Sequence, residues 1–349
     1  MQQAGRIFVV TFLLLLQTGC AARGMLTPVA LAVPQASVQK IFIASARKFD
    51  NDQAVYFSDK RSNNLLYARL DVSVPLKRPE GEIQWASETA NPAREFAIVG
   101  EQKIPGNGDL FRADLNRDLT TKASGDKAIF IFIHGYNNTF AESLYRLAQL
   151  KHDSDIEAVT VGFVWPSRAQ LTGYIYDRDS VAVARDQLQK LFELTAQAKT
   201  DRIYVMAHSL GTWLTMETLR QMRIGNTRKS KKFFKKLKAL ALAAPDIDED
   251  VFKSQLSRLG KLNVPFYVLR SERDQVLAFL GRFTGDVQRV GRITDTSGLT
   301  KTYGITFPSL TNEEGGDTLG HSTFATSPTF LALFREWVHR ASGKPARAN

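Results

Sequence analysis

Residues 207–211, Ala-His-Ser-Leu-Gly, place a serine hydroxyl between small residues. An apolar run at residues 203–206 precedes this segment, and a helical pattern of apolar residues follows from Leu210 onward. A strand, a tight turn and a helix in this order present the turn residue, Ser209, at a tip where its hydroxyl can attack a carbonyl carbon. Ala207 and Gly211 are small enough for so sharp a turn. A serine of this kind also needs a base, an acid and donors for an oxyanion, which the rest of the chain must supply.

The base is predicted to be His321. It lies in a loop beside Gly320, just before the last predicted helix, and it follows Ser209 in the chain. The other four histidines are excluded by position. His134 opens another turn and His208 adjoins Ser209. His152 follows an exposed helix and His339 lies within the final helix. The position of His208 next to Ser209 predicts a side chain that points away from the hydroxyl.

Two aspartates are candidates for the acid. Asp274 follows the late apolar run at residues 266–269, where the acid of such a site is expected, and we predict this role for it. The alternative for Asp274 is an exposed loop carboxylate paired with a neighbouring arginine. Asp246 is the reserve acid, although the alternating acidic residues at 246, 248 and 250 also predict an N-cap for the next helix.

Two backbone turns are predicted to bind the oxyanion. The run at residues 128–133 ends in His-Gly-Tyr-Asn-Asn, and the His-Gly pair lets the following N–H point inward. We therefore expect the N–H groups of Tyr136 and Leu210 to form the oxyanion hole. A tight turn with a capping asparagine is the alternative.

A third polar segment follows the run that stops at residues 165–167, Trp-Pro-Ser. Proline lacks an N–H and restricts the residue before it, so the strand must end there. The segment beyond either lines a cleft or serves structural packing, and it contains Tyr174, Tyr176, Asp177 and Asp179.

Apolar runs alternate with helical patterns from residue 128 onward, which predicts a doubly wound α/β fold: a mostly parallel sheet with helices on both faces. The predicted strands are 128–133, 158–165, 203–207, 239–244 and 266–269, and the predicted helices are 140–151, 181–198, 210–223 and 328–341. Before them, strands are predicted at 41–44 and 70–74, and residues 75–127 are expected to form loops around short strands.

At this point the chain resembles the α/β-hydrolase superfamily over about residues 38–340, and it is similar to a bacterial branch of it without assigned substrates. The resemblance depends on five motifs: residues 134–140 (His-Gly-Tyr-Asn-Asn-Thr-Phe), 165–167 (Trp-Pro-Ser), 207–211, 244–248 (Ala-Pro-Asp-Ile-Asp) and 320–322 (Gly-His-Ser). It implies a serine hydrolase with esterase-like activity through Ser209, His321 and Asp274. Ala207 departs from the commoner glycine at that position of the superfamily.

The first 20 residues predict a signal peptide. Arg6 precedes an apolar run at residues 7–16 that is short for a membrane span, and Cys20 follows in a lipobox-like context. Cys20 is the only cysteine of the 349 residues, which favours lipid attachment, and cleavage after Ala22 is the alternative. The predicted organisation is a leader (1–20), a linker (21–37), a hydrolase domain (38–341, with N-terminal strands and loops at 38–127 and a catalytic core at 128–341) and a tail (342–349). The predicted location is the periplasmic face of the bacterial cell envelope, or the periplasm after secretion.

The basic segment from Arg228 to Lys238 is the main concentration of positive charge in a chain of net charge +11. Its lysines, together with Phe233, Phe234 and Leu237, suit either contact with anionic lipid or a solvated helix that leads into a strand. A nucleic-acid partner is not expected in an exported protein.

Several functions remain compatible with the sequence. It shows no metal-ligand cluster and no phosphate-binding glycine loop, so neither a metal nor a cofactor is expected, and the expected partner is an ester or lipid substrate. A non-catalytic envelope lipoprotein that uses the fold as a binding module is the alternative. Amidase, thioesterase and acyltransferase reactions use the same three side chains.

Overall fold

The nine strands described in the computed structural model form one sheet, which confirms the predicted α/β architecture. The structure describes residues 24–86, 89–123, 126–313 and 317–341, so the predicted leader, Cys20 and the tail lie outside the described residues. The strands are β1 (Ala36–Phe49), β2 (Phe57–Pro75), β3 (Ala97–Ile104), β4 (Ala128–Ile133), β5 (Val159–Val164), β6 (Arg202–His208), β7 (Leu237–Ala243), β8 (Phe266–Leu269) and β9 (Ile305–Thr306). Their order is β3-β2-β1-β5-β4-β6-β7-β8-β9. The β1–β2 and β2–β3 pairs are antiparallel and the remaining pairs are parallel.

Helices cover both faces of the sheet. They are α1 (Asp109–Thr120), α2 (Phe140–Asp153), α3 (Tyr174–Gln197), α4 (Leu210–Gly225), α5 (Arg228–Lys236), α6 (Glu249–Leu259), α7 (Gln275–Phe283), α8 (Ser297–Tyr303), α9 (Thr323–Thr326) and α10 (Pro328–Ala341). The alternation of side chains along β4 separates two cores. Ile129, Ile131 and Ile133 pack with the core that contains α3 and α4, whereas Phe130 and Phe132 pack with the core that contains α2 and α10.

The predicted strands 41–44 and 70–74 are short parts of the much longer β1 and β2, and the other predicted elements differ from the structure mainly at their ends. The β4 and β8 strands have the predicted bounds, and α3 begins seven residues earlier than predicted, at Tyr174. The α1 helix lies in a region that was expected to hold only loops and short strands. The predicted N-cap is confirmed for Asp248, whose carboxylate accepts from the N–H groups of Asp250 and Val251 at 2.9 and 3.1 Å.

The basic segment forms α5 and the start of β7, as expected for a solvated helix that leads into a strand. The prediction that its apolar side chains contact lipid is wrong for Phe233 and Leu237, because both are buried in the core. Phe233 stacks on Phe192 with ring centroids 4.5 Å apart. The exposed side chains of this helix are all basic. Because α5 leads into the first residue of β7, it lies at the edge of the sheet opposite to the carboxyl ends of the parallel strands.

The described part of the chain before β1 runs along the edge of the sheet. Val29 donates to the carbonyl of Ile98 at 2.8 Å, and Ile98 donates back to Thr27 at 3.0 Å. At Gly24 the backbone lies directly on the indole of Trp85, since a β-carbon added there would fall 2.0 Å from the ring. None of the described helices is long and apolar enough to cross a lipid bilayer.

Candidate active site

Ser209 occupies a strained turn between β6 and α4. Its backbone has φ 51° and ψ −126°, a combination that non-glycine residues rarely adopt and that often marks functional sites. The turn is possible because its neighbours are small: a β-carbon on Gly211 would lie 2.2 Å from the carbonyl oxygen of His134. A β-carbon on Gly135 would lie 2.8 Å from the β-carbon of Ser209. The two loops therefore meet at the serine.

The hydroxyl of Ser209 is buried and uncommitted among the described residues. The side chain belongs to a residue that is 1% exposed, and Oγ makes no hydrogen bond to the described part of the chain. A buried polar oxygen without a partner costs free energy and calls for an explanation. One explanation is a reactive hydroxyl that forms its hydrogen bonds only when the substrate binds.

Asp274 and His321 are brought together by the first turn of α7 and the loop before α9. Nδ1 of His321 donates to Oδ2 of Asp274 at 2.7 Å, and the carboxylate is fully buried. The other oxygen, Oδ1, accepts from the N–H of Leu277 at 2.9 Å and caps α7. Arg292 donates to the carbonyl oxygen of Asp274 at 2.6 Å. The N–H of Leu277 thus fixes the carboxylate, and Arg292 fixes the backbone that carries it.

Opposing effects act on the imidazole of His321. Burial disfavours its charged form, but the negative charges of Asp274, Asp317 and Asp246 and the hydrogen bond to Asp274 outweigh burial and raise the pKa of His321 above 6.5. The ring is therefore a stronger base than a free histidine, which suits proton abstraction from a hydroxyl.

Asp246, the reserve acid, has other partners. Its Oδ2 accepts from the hydroxyl of Tyr174 at 2.8 Å, and its Oδ1 lies 3.4 Å from Nε of Arg289. Burial raises the pKa of Asp246, while Arg289 and the bond from Tyr174 act in the opposite direction. The backbone N–H of Asp246 contacts the carbonyl of Ser209 at 3.4 Å, so this carboxylate lies beside the site. Of the two aspartates, Asp274 is therefore the one that bonds to the ring of His321.

His208 lies against the ring of His321. The two ring centroids are 4.8 Å apart, and the ring of Phe324 lies 4.6 Å away on another side. Nε2 of His208 donates to the backbone carbonyl of His321 at 3.2 Å. Burial, followed by the positive charges of His321 and Arg146, lowers the pKa of His208 well below 6.5. A neutral His208 therefore helps to hold the loop that carries His321.

The predicted oxyanion residues lie on the two loops that meet at Ser209. Leu210 is the first residue of α4, where backbone N–H groups have no partner within the helix and the helix dipole favours negative charge. Tyr136 follows Gly135, and its hydroxyl donates to the carbonyl of Gln170 at 3.2 Å and also contacts that of Leu171.

Two buried charged residues hold these loops, and the sequence did not identify the first of them, Arg47. Arg47 of β1 donates from Nε to the carbonyl of Trp165 at 2.9 Å and from Nη2 to that of Asn138 at 2.8 Å. Burial lowers the pKa of Arg47 to about 10. An arginine directly after the mostly apolar run at residues 41–46 was the available signal, since a buried guanidinium requires acceptors.

Asp177 joins the same loops from α3. Its Oδ2 accepts from the hydroxyl of Ser167 at 2.5 Å, and its Oδ1 accepts from the N–H of Arg168 at 2.7 Å. Burial raises the pKa of Asp177, and these donors oppose that rise. The sequence left open whether Asp177 lines a cleft or serves packing, and in the structure it supports the loops around the site.

His134 completes this support as a neutral ring. It stacks on Trp165 with centroids 5.0 Å apart, donates from Nδ1 to the carbonyl of Gly135 at 2.8 Å and accepts from the N–H of Trp165 at 3.1 Å. Burial, followed by the charge of Arg47, lowers the pKa of His134 to about 3. Because the ring stays neutral, its Nε2 remains available to accept the hydrogen bond from the N–H of Trp165.

A cleft of about 590 Å³ lies at the candidate site, and its lining includes His134, Tyr136, His208 and His321. Its apolar lining includes Trp85, Leu171, Val276 and Leu319. Within the described residues, no group of three or more histidine, cysteine or acidic side chains is arranged to hold a metal ion.

Comparison with known proteins gives distant relatives. The chain is 25% identical over 199 residues to the uncharacterized protein alr1448 of Nostoc sp. (strain PCC 7120), a match that covers 49% of the chain and 51% of that relative. The chain thus spans about half the length of the curated relative that it matches. Lipase B of Aspergillus fumigatus is similar at 13% identity with a TM-score of 0.40, over 63% of this chain and 54% of that one. A thermostable esterase from Pseudomonas putida is similar at 11% identity with a TM-score of 0.39, over 92% and 86%.

These structural scores are too low to carry an argument, so the fold assignment depends on the sheet topology and on the family match. The sequence model of one family matches residues 109–336, well over half of the chain. This range contains β4 to β9 and each of the candidate side chains Ser209, Asp274 and His321. The chain therefore belongs to the family described as alpha/beta hydrolase of unknown function (DUF900).

Proposed function

We propose that this protein is a serine hydrolase that cleaves carboxylic esters through an acyl-enzyme. Ser209 is the nucleophile, His321 the general base and acid, and Asp274 the residue that orients the imidazole. The observation that carries the proposal is the 2.7 Å hydrogen bond between His321 and the buried carboxylate of Asp274, in a cleft beside the strained turn of Ser209. This bond fixes the tautomer that leaves Nε2 free to accept a proton.

The reaction has two stages. Oγ of Ser209 attacks the carbonyl carbon while Nε2 of His321 takes the hydroxyl proton, and the N–H groups of Tyr136 and Leu210 bind the oxyanion. One such donor contributes roughly 3 kcal/mol in the transition state. His321 then gives the proton to the departing alkoxide, which leaves as the alcohol. Water, deprotonated by His321, attacks the acyl-serine and releases the acid and the free hydroxyl.

The unbonded hydroxyl of Ser209 is compatible with this mechanism. Catalytic hydrogen bonds are often long or misaligned without substrate and tighten when the substrate binds. The close packing at Gly135 and Gly211 holds the strained backbone of the turn, while the hydroxyl can rotate about its side-chain bond toward His321.

A fluorophosphonate probe tests the nucleophile, because it labels only serines that a neighbouring base activates. We expect labelling of the native protein and its loss in Ser209→Ala. The matched control is Ser143→Ala, which removes a serine that lines the cleft and should keep the label. An unlabelled native protein that is folded would contradict the proposal and favour a non-catalytic binding module.

A panel of chromogenic substrates tests the leaving group. We expect ester hydrolysis to exceed the hydrolysis of the matched anilide and thioester, with an acyl-chain length set by the apolar part of the cleft. Preferred turnover of the anilide or the thioester would reassign the enzyme to amidases or thioesterases, and acyl transfer to an added alcohol in preference to water would reassign it to acyltransferases.

The proposed location is the cell envelope, with the protein attached to the membrane through a lipid on Cys20 and facing the periplasm. Metabolic labelling with an alkyne fatty acid is expected to mark the native chain and not Cys20→Ser. A processed but unlabelled native chain would indicate secretion to the periplasm instead. The basic side chains of α5 are an alternative candidate for contact with anionic lipid, and a high salt concentration would weaken that contact.

A further inference from the structure

Large apolar side chains are exposed on the elements that border the cleft, and two of them, Leu171 and Leu319, also line it. Five of them, between 43% and 67% exposed, form what we call the apolar rim: Leu171, Ile175, Phe279, Phe283 and Leu319. Isolated exposed apolar residues are ordinary, but a contiguous group marks a surface that meets an apolar partner.

The residues of the rim are connected through both sides of the cleft. Leu171 and Leu319 line the cleft itself, and the carbonyl of Leu319 accepts from Gln275, the first residue of α7, at 2.9 Å. On α7 the rings of Phe279 and Phe283 stack with centroids 6.0 Å apart. The ring of Phe283 lies 6.5 Å from that of Tyr174, next to Ile175 at the start of α3. The five rim residues are therefore connected, directly or through adjacent residues, on the two sides of the cleft.

The α7 helix is apolar on two sides. Leu277 and Leu280 point into the core, while Phe279 and Phe283 lie on the exposed side. A surface helix of a globular protein normally carries polar residues opposite its buried face. Exposed arginines flank the helix, with Arg273 just before it and Arg282 in its last turn. Glu272, the carboxylate beside Arg273, already pairs with Arg270 at 3.2 Å.

We propose that the apolar rim docks on a lipid bilayer, so that the cleft takes its ester from the lipid layer. Aromatic and aliphatic side chains flanked by arginines suit the boundary between acyl chains and phosphate headgroups. The inference rests on the proposed function and names the source of its substrate.

The start of the described chain supports this orientation. Gly24 lies on Trp85, and Trp85 lines the cleft. From Cys20, the proposed site of lipid attachment, four residues reach Gly24 and span at most about 14 Å. A lipid on Cys20 would therefore hold the cleft, and not the opposite edge with α5, close to the membrane.

Fluorescence quenching in proteoliposomes tests the contact without using catalysis. The full chain is reconstituted in vesicles of phosphatidylcholine and phosphatidylglycerol with brominated acyl chains, which quench only tryptophans that reach them. The reporter is Phe283→Trp. Its control is Ile224→Trp, which replaces another exposed residue (62%) at the end of α4, just before α5. The native tryptophans are subtracted with the unsubstituted protein.

We expect quenching above background at position 283 and none at position 224. Quenching at position 224 alone would overturn the proposal and assign the membrane contact to the α5 edge. Equal quenching at both positions, or none at either, would overturn it as well, because neither result distinguishes the rim from the rest of the surface. These readouts do not depend on turnover, so they separate failure of this inference from failure of the proposed enzyme activity.

A second measurement tests the substrate source. We compare the hydrolysis of a vesicle-embedded lipid ester with that of a soluble acetate ester, and we expect the ratio to fall roughly tenfold or more in Phe279→Ser/Phe283→Ser, because two rings no longer enter the lipid. Ile224→Ser should leave the ratio unchanged. An unchanged ratio in the double variant would overturn the proposal. Concentration-dependent dimers that the double variant abolishes would instead assign the rim to a second copy of the chain.

Discussion

Asp274 holds His321 with one carboxylate oxygen and the first turn of α7 with the other. Oδ2 accepts from Nδ1 of His321 at 2.7 Å, and Oδ1 accepts from the N–H of Leu277 at 2.9 Å. A single side chain thus couples the start of a helix to the orientation of an imidazole on a separate loop. Because asparagine caps helices about as well as aspartate, the two tasks can be separated by one substitution.

Asp274→Asn is expected to lower kcat by roughly 10⁴-fold, because the amide no longer fixes the imidazole tautomer. Thermal unfolding should change little, since the cap of α7 is kept. Asp246→Asn is the matched control and should retain most of the activity, because Asp246 bonds to Tyr174 and Arg289 instead. Ester hydrolysis by both purified variants is the measurement, and loss of turnover only in Asp246→Asn would make Asp246 the acid.

The pH dependence of kcat/KM follows from the raised pKa of His321. The base must be neutral to accept the proton of Ser209, so activity falls as the pH drops through a pKa that lies above 6.5. Removal of the negative charge in Asp274→Asn should shift this acidic limb of the profile to lower pH. A stopped-assay profile on a soluble ester measures the limb in both proteins. A limb at the same pH in native and variant proteins would show that another group controls it.

Asp177→Asn is expected to reduce kcat with little change in KM, because Asp177 orders the loops beside Ser209 through Ser167 and Arg168. An unmet buried donor also costs about 1–3 kcal/mol of unfolding free energy. Asp179→Asn, an exposed carboxylate two residues further along α3, is the control and should behave as the native protein. Steady-state kinetics with chemical denaturation separates the two effects. A loss of stability with unchanged kcat would limit Asp177 to a structural role.

Gly211→Ala should prevent the close contact between α4 and the loop at His134. The added methyl would lie 2.2 Å from the carbonyl oxygen of His134, which is backbone and cannot rotate away. We expect a loss of about 1–3 kcal/mol of unfolding free energy or more, together with loss of esterase activity. Gly298→Ala, where no atom of the described residues lies within 4 Å of the new methyl, is the control. A stable and fully active Gly211→Ala would contradict the geometry of the turn.

The sequence predicted the parallel core well because its strands are buried on both faces and read as continuous apolar runs. The β4 and β8 strands are of this kind, and their bounds were predicted without error. The α1 helix was missed because charged and polar residues occupy most of its length and glycines precede it. Its buried residues Phe111, Leu115 and Leu119 do recur every four positions, so a helical period was present beneath this polar composition.

Some residues of the candidate site could be predicted from the sequence and others could not. Ser209, Asp274 and His321 could be selected from chain order and from their position after strands. Arg47 could not, because it belongs to no motif and its partners are backbone carbonyls far along the chain. Asp177 was named in the segment after residues 165–167, but its bonds to the hydroxyl of Ser167 and the N–H of Arg168 could not be predicted from that pattern. Contacts of this kind depend on tertiary packing, which periodicity does not contain.

Arg47 lies well before residue 109, where the family match begins, yet it holds the carbonyl groups of Trp165 and Asn138 beside the site. A fragment cut to the family boundaries would lose this guanidinium, and its loops would have to find other donors. His321 comes late in the chain, so it is synthesised long after Arg47 and Ser209. A nascent chain therefore contains Ser209 well before it contains His321. The proposed reaction can begin only after the loop with His321 has been synthesised and has folded against the serine.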